Sequence, residues 1–353
     1  MARPLPQLET ITDLIWIQTS FLGDIILQTA AFVLIRKLYP SLRQHLITTP
    51  LGAKALADHP ALESLVVFDK RGRPLYQAIQ LVKKSLRPCD PATSVTLQAH
   101  RSTRSSLLAW ALGLPSVTYE ETSLSCLATA RVPRVAVFHE SQRLGLLLEP
   151  LGLRREAMQG ALPELPGFSS QHVLDLLKPF GSTRLVAMAP GSVWATKRWP
   201  IDYYIHLGRT LLTLNDTALL ILGSQDEKLD AAKLETGLGA EVGRCLNLAG
   251  KTSLDELRSL YPRLTLLISN DSSPLHYASA FGVPSLAIFG STVPAMGFGP
   301  LARHSRIAGL ELACRPCSDH GPKSCPLGHF NCMNQLEPAQ VSQIALDMLA
   351  NLA

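Results

Sequence analysis

The chain has 353 residues, 46% of them hydrophobic and 17% charged, a balance that excludes disorder and, at this length, a single ordinary core. Its net charge of +5 suits an anionic small molecule, an acidic membrane surface or nucleic acid. No concentrated basic stripe supports the nucleic-acid reading, so no nucleic-acid partner is expected.

From the N-terminus, Asp13 to Gln18 is an apolar run that predicts a buried strand. It turns through Thr19-Ser20-Phe21-Leu22-Gly23-Asp24 into a helical pattern from Ile25 to Leu38, stopped by Pro40. Strands follow at Gln44 to Thr48, Ser64 to Phe68 and Ser94 to Gln98, alternating with helices at Leu51 to Asp58, Leu75 to Leu86 and Ser105 to Leu112. The basic loop His100-Arg101-Ser102-Thr103-Arg104 lies between the last strand and the last helix. Residues 118–140 are mixed, His139 to Leu151 reads as a Leu-rich helix, and the proline-studded Leu162 to Gly167 reads as a linker.

Alternation resumes beyond the helix Gln171 to Phe180. Strands are expected at Arg184 to Ala189, Ala218 to Leu222, Cys245 to Leu248, Leu264 to Ile268 and Ser285 to Phe289. The helices between them are Ile201 to Leu214, one after Glu227, Ser253 to Leu260 with a capping box at Ser253 and Glu256, and Leu275 to Phe281. A final helix, Pro338 to Leu352, closes the chain. Repeated strand–helix alternation is the signature of α/β architecture, here two doubly wound parallel sheets.

Three loops of the second half share a position at the carboxyl end of a strand, where such sheets present ligands. They are Pro190 to Lys197, Gly223 to Glu227 and Asn270 to His276. Gly191 and Gly223 permit close backbone approach, Lys197 and Arg198 supply charge for phosphate, and Glu227 offers an acceptor for ribose hydroxyls. Asp271, Ser272 and Ser273 are expected to cap the following helix. No dinucleotide fingerprint or phosphate-loop motif is present, which removes support for a nicotinamide or P-loop nucleotide enzyme.

Together, Ser20-Phe21-Leu22-Gly23-Asp24-Ile25, Ala189-Pro190-Gly191-Ser192 with Thr196-Lys197-Arg198-Trp199-Pro200, and Asn270-Asp271-Ser272-Ser273-Pro274-Leu275-His276 resemble the ADP-heptose:lipopolysaccharide heptosyltransferases. So do Gly282-Val283-Pro284 and Phe289-Gly290-Ser291-Thr292. The resemblance implies a GT-B fold, two Rossmann-like domains facing a cleft. It implies an acceptor domain over 1–165, a nucleotide-sugar domain over 166–337, and a C-terminal helix over 338–353 that packs back on the N-terminal domain. The activity implied is inverting transfer of heptose from ADP-heptose to a lipopolysaccharide inner-core acceptor, without an organic cofactor, by a monomer or weak oligomer. A protein hydroxyl as acceptor is the alternative. Asp24 matches the catalytic base, and Ser192, Thr196, Lys197, Glu227, Asp271, Ser272, Ser273 and His276 the donor site. A base for the acceptor hydroxyl and positive charge for the leaving diphosphate are what such a transfer requires. Gly23, His100, Arg101 and Arg104 are the acceptor-side candidates, since core acceptors carry carboxylates and phosphates.

The apolar Leu14 to Ile35 region contains Gln18, Gly23 and Asp24, and Glu9 and Asp13 precede it, so neither a membrane span nor a secretory leader is expected. A cytoplasmic protein, peripheral at the inner membrane, is the expectation. Cys314, Cys317, Cys325 and Cys332 cluster in a segment rich in Pro and Gly, and Cys-x2-Cys is a common two-ligand knuckle. That segment, 314–332, is expected either to hold a structural zinc or iron, with His320 or His329 able to replace a thiolate, or to be a loop of reduced thiols. A metal-binding interaction module is the rival function of a different class.

Overall fold

A computed structural model describes residues 5–69, 72–86, 89–239 and 243–352. The chain forms two compact units, Met1–Pro166 and Gly167–Ala353. In the first, β1 (Asp13–Gln18), β2 (Arg43–Thr48), β3 (Ser64–Val67), β4 (Ser94–Gln98), β5 (Ser116–Tyr119) and β6 (Ala130–Val132) make one parallel sheet in the order β3-β2-β1-β4-β5-β6. Helices α1 (Leu22–Leu38), α2 (Pro50–Ala55), α3 (Leu75–Ser85), α4 (Thr103–Leu112) and α5 (Glu140–Leu146) cover its faces. Every residue of β1 is buried, as a strand covered on both faces requires, and this explains why it reads as a continuous apolar run.

The second unit begins with α6 (Gln171–Leu177) and repeats the topology. Its strands are β7 (Arg184–Ala189), β8 (Thr217–Ile221), β9 (Cys245–Asn247), β10 (Leu266–Asn270), β11 (Ser285–Ile288) and β12 (Arg306–Ala308), in the order β12-β11-β10-β7-β8-β9. Helices α7 (Ile201–Leu212), α8 (Lys228–Leu238), α9 (Leu254–Leu260), α10 (Ser273–Ala280), α11 (Asn331–Asn334) and α12 (Pro338–Asn351) complete it. In each sheet the order reverses between two central strands, β1 and β4 in one unit, β7 and β10 in the other. There the connections depart to opposite faces and leave a crevice at the carboxyl edge.

Several sequence-based boundaries change. Strands β5, β6 and β12 were not anticipated, because three or four residues are too few to show a period. Pro150 and the turn at Leu147 cut the expected helix at Leu146, and His139 caps it in a box with Gln142. In the second unit, α12 lays Val341, Ala345, Met348 and Leu349 into the core and packs along α7. Its apolar stripe joins that of α7 in one core with the sheet, a match invisible without the fold.

At the amino edge of the first sheet, Asp13 accepts hydrogen bonds from Arg43 (2.6 and 2.8 Å), Thr12 (2.8 Å) and the His45 ring (2.9 Å). Burial alone would raise its carboxyl, but these partners hold it well below the usual carboxylate range. This clamp joins β1 to β2 at the edge opposite the crevice.

Candidate active site

At the crevice of the second unit, β10 ends in Ser269 and Asn270, which belong to the strand rather than to the turn the sequence suggested. The fully buried Asn270 fixes the loop after β7. Its Oδ1 accepts from Trp199 N (3.2 Å) and Tyr204 OH (3.1 Å), and its Nδ2 donates to Pro190 O (2.6 Å). Asp271 then faces Lys197. Its Oδ2 accepts from Lys197 Nζ at 2.6 Å and from Thr292 Oγ1 at 2.7 Å. Ser272 occupies the cap position of α10, but no side chain there caps the helix as the sequence suggested. Asp271 is engaged by the lysine instead, and the Ser272 hydroxyl reaches Gly191 O and Asn270 O, each at 3.4 Å.

Glu227 sits where its sequence position suggested, against the glycine turns. A Cβ on Gly191 would overlap the Glu227 carboxylate, and one on Gly223 would lie 3.3 Å from its Cβ. Glu227 Oε2 accepts from Ser224 N at 2.7 Å, a capping box that fixes the carboxylate over the Gly191 backbone. Ser192 and Thr196 are buried beside these groups, and Arg198 donates to Ser192 O at 2.8 Å. His276 is buried on α10 with its ring 6.2 Å from that of Phe298, and Ser273 opens the same helix.

Two contributions to this crevice were missed. Thr292, quoted only as part of a motif, holds the second position on Asp271. The cysteine segment forms a wall of the site. Pro322 O accepts from Thr196 Oγ1 (2.5 Å), Cys317 N donates to Ser291 O (2.9 Å), and Arg315 donates to Phe289 O (3.0 Å) and Thr292 O (2.8 Å). The His320 ring stacks on Trp194 with centroids 6.4 Å apart. The glycine and proline content of this segment signalled close packing, but its destination depended on β11 and β12.

The Cys314 and Cys325 thiols lie close enough to raise the proton affinity of Cys317, after burial, by their charge, and all three act in the same direction on Cys332, again after burial. Among the described residues, however, no three His, Cys, Asp or Glu side chains converge as a metal ion needs. Cys332 is drawn into the apolar core on α11, Cys317 Sγ turns back to Cys314 O (3.3 Å), and Cys325 Sγ accepts from Phe330 N (3.4 Å).

At the crevice of the first unit, Asp24 lies in the first turn of α1, directly after the buried Gly23. Its carboxyl is pushed up to about 7. Burial is the main cause and the negative charge of Glu140 the next, opposed by the Ser20 hydroxyl and the Arg134 guanidinium. A carboxyl poised there can both take and give a proton near neutrality. Across the switch point, His100 follows β4 and gathers three hydroxyls around Nδ1: Thr19 at 2.8 Å, Ser105 at 3.0 Å and Ser102 at 3.2 Å. It thereby ties the β1 turn to the start of α4. Arg104 is exposed on the first turn of α4, and Arg101 is half-buried beside His100.

The sequence profile described as glycosyltransferase family 9 (heptosyltransferase) matches residues 91–327, more than half of the chain. The chain belongs to glycosyltransferase family 9. Among curated relatives of this family 9 chain, lipooligosaccharide heptosyltransferase 2 of Campylobacter jejuni is 28% identical over 192 residues. That match covers 51% of this chain and 59% of the relative, so the chain spans little more than half of that protein's length. In three dimensions the chain is similar to a family 9 glycosyl transferase of Veillonella parvula, with a TM-score of 0.83 at 19% identity, covering 99% of this chain and 100% of that one. It is also similar to the ADP-heptose LPS heptosyltransferase II of Escherichia coli, with a TM-score of 0.75 at 19% identity over 96% and 99% of the two chains. These likenesses speak for the fold, which is GT-B: two Rossmann-like units in one chain.

Proposed function

We propose that this family 9 chain is an inverting glycosyltransferase that moves a heptose from ADP-heptose to the inner core of lipopolysaccharide. The observation that carries the reading is Asp24, a carboxyl held near neutrality at the carboxyl end of β1. In this mechanism Asp24 removes the proton of an acceptor hydroxyl as its oxygen attacks the anomeric carbon. The bond from that carbon to the diphosphate breaks on the opposite face, which inverts the configuration. ADP leaves with the electron pair, and the Lys197 ammonium offsets the charge that builds on the leaving oxygen. Asp271 and Thr292 hold Lys197 and the β10 loop for that task. Glu227, fixed over Gly191, receives the ribose, while Ser192, Thr196, Ser272, Ser273 and His276 line the donor pocket.

The first unit takes the acceptor and the second the nucleotide sugar. Arg104 and Arg101 meet the anionic groups of the acceptor, and the serine and threonine contacts of His100 hold their loop in place. No step calls for an organic cofactor. The acceptor class places the protein at the cytoplasmic surface of the inner membrane, and no described helix is long and apolar enough to cross it. The names of the Campylobacter and Escherichia relatives support both donor and acceptor class.

The test incubates purified protein with ADP-heptose and core-truncated lipopolysaccharides, and follows ADP release and acceptor mass. Gain of one heptose by an acceptor, with ADP released in equal amount, is the expected result. Transfer to protein hydroxyls alone would overturn the acceptor, and ADP release with no acceptor gain would overturn the transferase reading.

A further inference from the structure

We propose that Arg134 and Glu140 are positioning residues that set the proton affinity of Asp24 from a charge cluster at the start of α5. The proposal rests on the reading of Asp24 as the base and deepens it. The cluster has three members. Glu140 Oε2 accepts from Arg134 Nη2 at 2.6 Å and from Arg143 Nη1 at 2.9 Å, and all three side chains are largely withdrawn from solvent. Helix α5 packs on α1, the helix that carries Asp24 in its first turn.

The loop before α5 does not need both arginines. Arg143 already fastens it: its Nε donates to Val135 O at 3.1 Å, its Nη2 to Ala136 O, and its own carbonyl accepts from Tyr119 OH at 3.0 Å. Arg134 is left with Glu140 as its side-chain partner, while its backbone N–H reaches Glu121 Oε1 at 3.2 Å. Buried ion pairs add little net stability once desolvation is counted, so a second arginine on an already paired carboxylate calls for another role.

The two neighbours act on Asp24 in opposite directions. The Glu140 carboxylate disfavours its ionised form and the Arg134 guanidinium favours it. The Ser20 hydroxyl, from the turn before α1, also favours it. The other helix on α1, α2, brings Lys54 as its charged side chain. Glu140 and Arg134 therefore form an adjustable pair: a proton shared near neutrality needs both signs close by, and α5 delivers them together.

The test is the pH titration of the Asp24 carboxyl by carbon NMR in the full chain, alongside the pH profile of kcat/KM. Glu140→Gln removes the opposing charge and frees both arginines, so the Asp24 midpoint and the acid limb should fall by about one pH unit, a tenfold change in proton affinity. Arg134→Gln should move both upward by a similar amount, and Arg134→Lys should restore most of the shift. A purely structural pair would lower kcat without moving the midpoint. Midpoints that stay put, or move the same way in both variants, would overturn the proposal. Because the NMR titration needs no turnover, it still decides the question if the protein transfers no heptose, an outcome that would count against the base reading alone.

Discussion

Replacing Asp24 with Asn should remove activity and add stability, and the second effect carries a sign that can be worked out. The folded carboxyl titrates at about 7, against 3.8 in the absence of its surroundings. Between these values the unfolded chain has released the proton and the folded chain still holds it, so wild-type stability falls as pH rises. The stabilisation is fully present below 3.8 and lost as pH passes through about 7. At about 1.4 kcal/mol per unit, the shift sets an upper limit of about 4 kcal/mol, and residual solvent contact of the side chain brings the expected figure to roughly 2 kcal/mol. Asn is neutral at every pH and escapes this cost. Calorimetry of Asp24→Asn should therefore show a melting transition about 5 °C above wild type at pH 8.5 and close to wild type at pH 4. Transfer should drop by on the order of 10²–10⁴-fold, with ADP affinity nearly intact. Equal melting differences at the two pH values would show that Asp24 is not held protonated, and near-normal turnover would show that it is not the base.

Lys197→Ala should weaken ADP binding at least tenfold by titration calorimetry and lower stability by about 3 kcal/mol, since Asp271 keeps only Thr292 as a partner. Lys197→Ala with Asp271→Asn should recover stability and leave ADP binding weak; unchanged ADP affinity in the single variant would remove Lys197 from the donor site. Gly191→Ala places a methyl against the Glu227 carboxylate, so it should displace Glu227, break its bond to Ser224 and weaken ADP binding about tenfold. Gly167→Ala, where nothing lies within 4 Å of the added methyl, is the neutral control, and equal ADP affinity in the two variants would contradict the placement of Glu227.

The sequence by itself determined the α/β class, most strands, and the loops that carry the candidate site. Those features are local: a strand covered on both faces must be apolar along its length between the ends, as residues 14–17 and 185–189 are, and the turn after it must be polar or glycine-rich. The tertiary structure decided which charges meet. Lys197 and Asp271 are 74 residues apart and pair because β7 and β10 are neighbours, an adjacency set by strand order and absent from either loop. The charges of Glu140 and Arg134 likewise act on Asp24, far earlier in the chain, because α5 docks on α1. Cys332, which the sequence sets beside three other cysteines, joins the core of the second unit, and α12 joins that core as well. Burial and pairing of this kind are settled by contacts between distant segments, whose free energy depends on packing that no single stretch of chain contains.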